Sequence, residues 1–234
     1  MNARVVAVGV GPGDPELITL KGVRMIREAD VVVAPVGDRS DSSIARAIVE
    51  EFVDPARQKL VTQVYPMKRD QAGLEESWAA SAREVAGFVA AGKNVAFVTI
   101  GDPFLYSTFL YLYRHLKDEF PRIPVEVVSG VSSINAASAL SGLPLGLNDE
   151  RLAVLPATYE EGGLRRALED FDTVVLMKVH RVFRRIRDLL AELGLKEKAV
   201  YVKRVGLAGE AVFSNLDGVG EGDLDYLSMV IVKK

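Results

Sequence analysis

Three glycine-containing turns carry most of the residues in this 234-residue chain that could do chemistry. They are Gly9-Val10-Gly11-Pro12-Gly13-Asp14, Ile100-Gly101-Asp102-Pro103, and Ser129-Gly130-Val131-Ser132-Ser133. Each follows a short apolar run that reads as a buried strand, and open α/β sheets bind ligands outside the carboxyl ends of their strands. Glycine lets backbone approach a ligand closely, proline rigidifies a turn, and Asp102 can accept hydrogen bonds. Each turn also has a purely structural reading. Asp102 and Pro103 could open a helix, Ser132 or Ser133 could cap one, and the first turn could simply reverse the chain.

The first turn is not a phosphate cradle. Its spacing is G-x-G-x-G-D rather than G-x-G-x-x-G, and no Gly-Lys-Ser/Thr follows. Pro12 lacks a backbone donor, and Asp14 would repel phosphate. Other candidates read as structural. Met177 ends an apolar strand, where methionine usually fills core. Asp149 and Glu150 are adjacent loop carboxylates expected to be solvated. The arginines from Arg181 to Arg187 share a helix whose opposite face holds Val182, Phe183, Ile186, Leu189 and Leu190, so a solvated face is expected. Trp78, Tyr111 and Tyr113 read as packing.

The elements that must position these turns alternate strand and helix. Apolar runs at Arg4–Gly9, Asp30–Pro35, Leu60–Tyr65, Asn94–Thr99 and Val125–Val128 read as strands. Between them, Ile18–Ala29, Ser42–Glu51 (capped by Ser42 or Ser43), Leu74–Ala91 and Leu110–Leu116 read as helices, with Ser132–Leu140 after the fifth strand. Strands without polar alternation imply a parallel sheet covered on both faces. Beyond the loop Gly142–Asp149, strands are expected at Leu152–Leu155, Thr173–Met177, Ala199–Val205, Glu210–Ser214 and Leu227–Val232, and helices at Gly163–Glu169 and Val182–Leu193. The last strands lack an intervening helix and predict an antiparallel portion. The expected domains are 1–144 and 145–234, both α/β.

Composition narrows the function. The net charge of −3 gives no support for nucleic-acid binding. With no cysteine there are no disulfides, thiolate nucleophiles or cysteine metal ligands, and two separated histidines, His115 and His180, argue against a protein-bound metal. The first apolar run is too short for a signal peptide, and no segment approaches the roughly 20 apolar residues of a membrane helix. The expectation is a cytoplasmic enzyme with no membrane partner.

The order of these turns is more specific than any one of them. Val8 to Gly22 reads Val-Gly-x-Gly-Pro-Gly-Asp-Pro-x-Leu-x-Thr-x-Lys-Gly, Ala29 to Val32 reads Ala-Asp-Val-Val, and Gly101 to Pro103 reads Gly-Asp-Pro. Over essentially its whole length the chain resembles the tetrapyrrole methylase family. Val33-Ala34-Pro35-Val36, Val64-Tyr65-Pro66-Met67, Tyr106-Ser107-Thr108-Phe109 and the run from Asn148 to Ala157 are similar to the family's precorrin-2 C20-methyltransferase branch. The resemblance implies the class III methyltransferase fold, two α/β domains with S-adenosylmethionine folded in a cleft between them. By motif match it implies donor contacts from Pro12, Ile100, Gly101, Asp102, Leu105, Ser132, Ser133, Met177 and Gly206; at the last, Leu207 replaces the family's threonine.

The implied reaction adds a methyl to C20 of precorrin-2 or cobalt-factor II in cobalamin biosynthesis. Such an attack needs alignment more than acid–base power. No general base is identified; Tyr106 is a candidate wall or proton-handling group. The substrate's carboxylates call for basic side chains, with Arg39, Lys68, Arg69, Lys178 and Arg181 placed by loop position. The family also implies a homodimer. Alternatives are another tetrapyrrole methylase, such as a uroporphyrinogen-III or other corrinoid enzyme, a diphthine synthase-like protein methylase, and a non-catalytic carrier.

Overall fold

The computed structural model describes residues 3–37, 43–65, 71–158 and 160–234. The chain forms two compact units, Met1–Ser132 and Ser133–Lys234.

In the first unit, β1 (Val5–Gly9), β2 (Val31–Gly37), β3 (Lys59–Tyr65), β4 (Val95–Thr99) and β5 (Val125–Val128) build one parallel sheet in the order β3-β2-β4-β1-β5. Alternate residues point to opposite faces. Val6, Val8, Val32 and Val98 pack on one face with α1 (Leu20–Glu28) and α2 (Ile44–Val49). Val5, Ala7, Val33 and Phe97 pack on the other with α3 (Gln71–Ala90) and α4 (Phe109–Glu119). Both faces are therefore covered, which is why these strands carry no polar alternation.

The helix ends follow their local chemistry. Thr19 Oγ1 accepts from Gly22 N at 3.0 Å to start α1, and Ser43 Oγ accepts from Arg46 N at 3.2 Å to start α2; Ser42 lies outside the described residues. Gly92, at φ +77°, stops α3, and Lys93 N reaches back to Phe88 O at 3.0 Å. Composition alone did not mark Gln58, which is buried and ties the approach to β3 to the end of α1. Its amide donates to Ile26 O at 2.6 Å and Ala29 O at 2.8 Å, and its oxygen accepts from Asp54 N at 2.8 Å.

In the second unit, β6 (Leu152–Pro156) pairs parallel with β7 (Thr173–Met177). The chain's final strand, β10 (Ser228–Lys233), lies antiparallel between β7 and β8 (Ala199–Lys203), and β9 (Ala211–Phe213) pairs antiparallel at the outer edge of β8. The expected antiparallel portion is present. α6 (Glu161–Asp170) and α7 (Phe183–Glu192) cover one face through Leu164, Leu168, Phe183 and Ile186. α5 (Ser133–Ser141) covers the other, with Ile134 and Ala137 among Val175, Val202, Met229 and Ile231. That packing places α5 in the second unit, so the compact units divide at Ser132 and Ser133 rather than near residue 145.

Two smaller expectations hold. Asp149 and Glu150 are exposed, and the Glu150 carboxylate takes the Lys233 ammonium and the Leu147 amide, the latter at 2.7 Å, which hold its pKa below the usual carboxylate value. On the arginine-rich helix Arg184 and Arg185 are exposed as expected; Arg184 pairs with Glu221, and Arg185 donates to Ala157 O at 3.1 Å.

At the carboxyl edge of the first sheet, the ends of β1, β4 and β5 meet through glycine backbone. A Cβ on Gly9 would lie 2.5 Å from Gly101 O and 2.6 Å from Gly130 N; a Cβ on Gly130 would lie 2.2 Å from Gly101 O. Those obstacles are backbone, so the strand ends would have to separate. By contrast, Gly87 in α3 has open space where its Cβ would go. In urea unfolding, Gly130→Ala should cost about 2–4 kcal/mol. Gly87→Ala should gain about 0.5–1 kcal/mol. Equal effects at the two positions would contradict this packing.

Candidate functional site

The first unit fastens its three turns to one another. After β1 the chain folds back: Val10 N donates to Thr99 O at 2.9 Å and Gly101 N donates to Gly11 O at 2.8 Å, forming a short antiparallel bridge between Gly11 and Gly101. Both glycines have positive φ, +78° and +69°, where a Cβ is disfavoured. Asp102 joins the second turn to the third. Its Oδ1 accepts from Phe104 N at 2.8 Å and its Oδ2 from Gly130 N at 3.2 Å.

This corrects the reading of Asp102 and Pro103 as a helix start. α4 begins at Phe109, with Thr108 at its N-cap. The intervening loop is held at its far end by Ser107, whose Oγ lies 2.9 Å from Thr99 Oγ1 and accepts from Phe109 N at 3.1 Å. The capping aspartate is Asp14, which accepts from Glu16 N at 2.9 Å over the 3-10 turn Pro15–Leu17.

Of the sequence-predicted residues, Pro12, Ile100, Gly101, Asp102, Leu105 and Ser132 thus gather on turns at one edge of the first sheet. Pro12, Gly101 and Ser132 are buried, Ile100 and Asp102 half-buried, and Leu105 exposed. β1 passes to α1 on one face while its neighbour β4 passes to α4 on the other, the divergence that opens a ligand crevice in such sheets.

In the second unit, Met177 ends β7 and Gly206 follows β8. Met229 of β10 pairs with Met177 on one side and Val202 on the other, so the two strand ends share an edge. Met177 O accepts from Ala157 N at 2.8 Å, and Gly206, at φ +72°, donates to Glu210 Oε2 at 2.6 Å. Ser133 opens α5. Arg39, Lys68 and Arg69 lie outside the described residues, as do Pro66 and Met67. Lys178 follows Met177 directly, and Arg181 is exposed on the 3-10 turn Val179–Arg181.

Backbone strain marks the same places, and the sequence carries no signal for it. Among the described residues, four non-glycine residues have positive φ: Tyr106 at +52°, Asn148 at +49°, Lys178 at +60° and Arg204 at +53°. Asparagine tolerates this region; the other three do not, at about 1–2 kcal/mol each. Tyr106 adjoins Leu105, Lys178 adjoins Met177, and Arg204 lies two residues before Gly206.

The electrostatics suit a cation. Residues 9–14, 99–108 and 128–133 include Asp14 and Asp102 but no lysine or arginine. The carboxylate of Asp102, tight glycine backbone and the apolar side chains of Ile100 and Leu105 fit a sulfonium-bearing nucleoside better than a phosphate. Among the described residues no group of three or more His, Cys, Asp or Glu is placed to hold a metal ion, and no helix is long and apolar enough to cross a membrane.

Comparison with known proteins gives a consistent set of likenesses. The family described as Tetrapyrrole (Corrin/Porphyrin) Methylases matches residues 4–220. A cobalt-precorrin-2 C(20)-methyltransferase from Salmonella typhimurium is 35% identical over 236 residues, 100% of this chain and 98% of that protein. A precorrin-2 C(20)-methyltransferase from Sinorhizobium sp is 36% identical over 237 residues, 98% of this chain and 94% of that one. The crystal structure of uroporphyrin-III C-methyl transferase from Thermus thermophilus complexed with S-adenyl homocysteine aligns with a TM-score of 0.66 at 27% identity, covering 99% of this chain and 98% of that one.

His180, in the 3-10 turn after Lys178, is a titratable group at the second unit's edge. Its ring lies edge-on to Tyr226 at 5.5 Å, and its buried Nδ1 has no hydrogen-bond partner. Burial first, then the charge of Arg181, push its pKa below the usual histidine value, with Asp225 opposing. The unfolded chain therefore binds this proton more readily. The resulting stability is present in full above about pH 6.5 and is lost as pH falls through the folded pKa. Stability should drop between pH 7.5 and 5.5 in urea titrations, and His180→Gln should flatten that slope; an unchanged slope would contradict the assignment.

Proposed function

The chain belongs to the tetrapyrrole (corrin/porphyrin) methylases, and on that premise we propose that it is an S-adenosylmethionine-dependent methyltransferase acting on C20 of precorrin-2 or cobalt-factor II in cobalamin biosynthesis. Two relatives bearing the C(20) name, each matched over nearly its full length, support that position. So does the Tyr106-Ser107-Thr108-Phe109 run after the Gly-Asp-Pro turn. The observation that carries the reading is the fastening of three turns through Gly101 and Asp102.

Bound donor supplies a methyl on a sulfonium sulfur. Pro12, Ile100, Gly101, Asp102, Leu105, Ser132, Ser133, Met177 and Gly206 are proposed to hold it. Each Asp102 oxygen accepts one backbone N–H, so each retains acceptor capacity for a donor hydroxyl. Because Asp102 is fixed by two amides, it orients rather than transfers protons. Ile100 and Leu105 provide apolar cover that keeps water from the methyl. The carbon at C20 gains the methyl and gives up its hydrogen as a proton, restoring conjugation. The chain's part is alignment and exclusion of water. Arg39, Lys68, Arg69, Lys178 and Arg181 are proposed to meet the substrate's carboxylates. We further propose a cytoplasmic homodimer that binds no metal of its own; any cobalt enters as part of the substrate.

Incubation with methyl-labelled donor and precorrin-2 or cobalt-factor II should put one label on C20, located by mass spectrometry and NMR. A label at another carbon, or on protein only, would contradict the proposal. Asp102→Ala should keep the wild-type circular dichroism spectrum and weaken S-adenosylhomocysteine binding by about 10–100-fold, roughly 1.4–2.8 kcal/mol. Unchanged affinity would remove Asp102 from the donor site.

A further inference from the structure

An aspartate in the second unit repeats the bonding pattern of Asp102 in the first. The chain enters β10 through Asp225, Tyr226 and Leu227, and β10 lies between β7 and β8. Asp225 Oδ1 accepts from Leu227 N, two residues on, at 2.7 Å, and its Oδ2 accepts from Arg204 Nη1 at 3.0 Å. Asp102 likewise holds the amide two residues on with one oxygen and a neighbouring strand-end turn with the other. The backbone of Asp225 is fixed as well. Its N–H donates at 3.3 Å to the hydroxyl of Tyr201, a side chain with no exposed surface, and its carbonyl accepts from Ser228 Oγ.

The turn that Asp225 holds is the one that carries Gly206. Arg204 has φ +53°, which disfavours a side chain by about 1–2 kcal/mol. Its N–H donates to Leu227 O at 2.8 Å, and its carbonyl accepts from Leu207 N at 2.8 Å. Its guanidinium bridges the turn to the entry of β10: Nε donates to Ala208 O at 2.6 Å, and Nη1 donates to Asp225. Gly206, at φ +72°, lies between the residues so bridged. The Arg204 and Asp225 side chains are only 34% and 25% exposed, so their attraction is screened less than that of a surface pair. A strained residue persists where its surroundings over-determine it, and such residues cluster at ligand-binding sites.

We propose that Asp225 is a positioning residue of the methyl-donor site: by fixing the Arg204 guanidinium it holds the left-handed turn that presents Gly206 to the donor. This rests on the donor reading above, in which Gly206 is a contact, and adds the residue that sets its geometry. Asp225 acts through Arg204 and transfers no proton. Asp217 lies on the same connection between β9 and β10, but its carboxylate pairs with Lys196 at 2.7 Å instead of with the turn.

The test measures S-adenosylhomocysteine binding by calorimetry in the full-length wild type, Asp225→Asn, Arg204→Met, Arg204→Gly, the D225N/R204G double variant and Asp217→Asn, and follows the Gly206 amide by NMR. D225N keeps an acceptor for Leu227 N but loses the ion pair, and R204M keeps a strained side chain without its guanidinium. Each should weaken binding about tenfold or more and shift the Gly206 resonance, and R204M serves as the test if D225N folds poorly. R204G takes the left-handed conformation at no steric cost and should bind within about threefold of wild type. Adding D225N to R204G should change affinity by less than about twofold, the non-additivity of a residue that acts through another. D217N removes an ion pair from the same connection and should bind within about twofold of wild type. Wild-type affinity in both D225N and R204M would overturn the inference, whether or not the Gly206 resonance moves. So would additive losses in the double variant, R204G as weak as R204M, or D217N as weak as D225N. If wild type does not bind S-adenosylhomocysteine, the donor reading fails and this inference with it. If Asp102→Ala weakens binding while D225N and R204M do not, this inference alone fails.

Discussion

The close approach of Gly9, Gly101 and Gly130 is the constraint on which the first unit's site depends. Any side chain at Gly9 or Gly130 would occupy space already filled by backbone of the neighbouring strand ends. Only with these positions bare can β1, β4 and β5 end close enough for Gly101 N to reach Gly11 O and for Gly130 N to reach the Asp102 carboxylate. The parallel sheet brings three strand ends to one edge. The glycines turn that proximity into a single fastened group of turns. Asp102 follows from the same geometry: it is half-buried, it takes an amide from each side, and its acceptor role is set before any ligand arrives.

Each unit tolerates backbone conformations that would be selected against elsewhere. Tyr106, Lys178 and Arg204 occupy left-handed backbone next to proposed donor residues. At about 1–2 kcal/mol each, their combined strain is a substantial fraction of the 5–15 kcal/mol by which ordinary domains are stable. Two well-covered sheets make that tolerable. Val5, Ala7, Val8, Phe97 and Val98 in the first unit, and Val175, Leu176, Val230 and Ile231 in the second, have no exposed surface. In the first unit, backbone bonds from Gly101 and the two amides on Asp102 hold the turns to one another. That fastening suits a reaction that depends on alignment of a methyl, a leaving sulfur and an acceptor carbon rather than on proton transfer by a tuned side chain.

Much of the fold was legible because its signals are local. Apolar runs without alternation marked the buried parallel strands, and Ser43 and Gly92 marked helix ends by their own chemistry. The antiparallel portion showed in the missing helix between the last strands. What the sequence did not reveal depends on contacts distant in the chain. α5 follows the first sheet but packs on the second, because Ile134 and Ala137 fit among Val202, Met229 and Ile231. Gln58 looked like any loop glutamine until the end of α1 supplied its acceptors. For the site, the turns and their order were readable as a family resemblance, but Asp102's clamp onto Gly130 was not. Local spacing made it a plausible helix cap, and its second partner lies 28 residues away. The strained backbone of Lys178 and Arg204 had no sequence signal at all.

The central claim is that the turns built on Gly101 and Asp102 are where the methyl donor binds. A crystal structure of this chain with S-adenosylhomocysteine tests it most directly. The account predicts ligand density against the backbone of Ile100–Leu105, with a ligand hydroxyl or amine bonded to Asp102. Well-ordered ligand bound elsewhere, with the residues from Ile100 to Leu105 untouched, would contradict it.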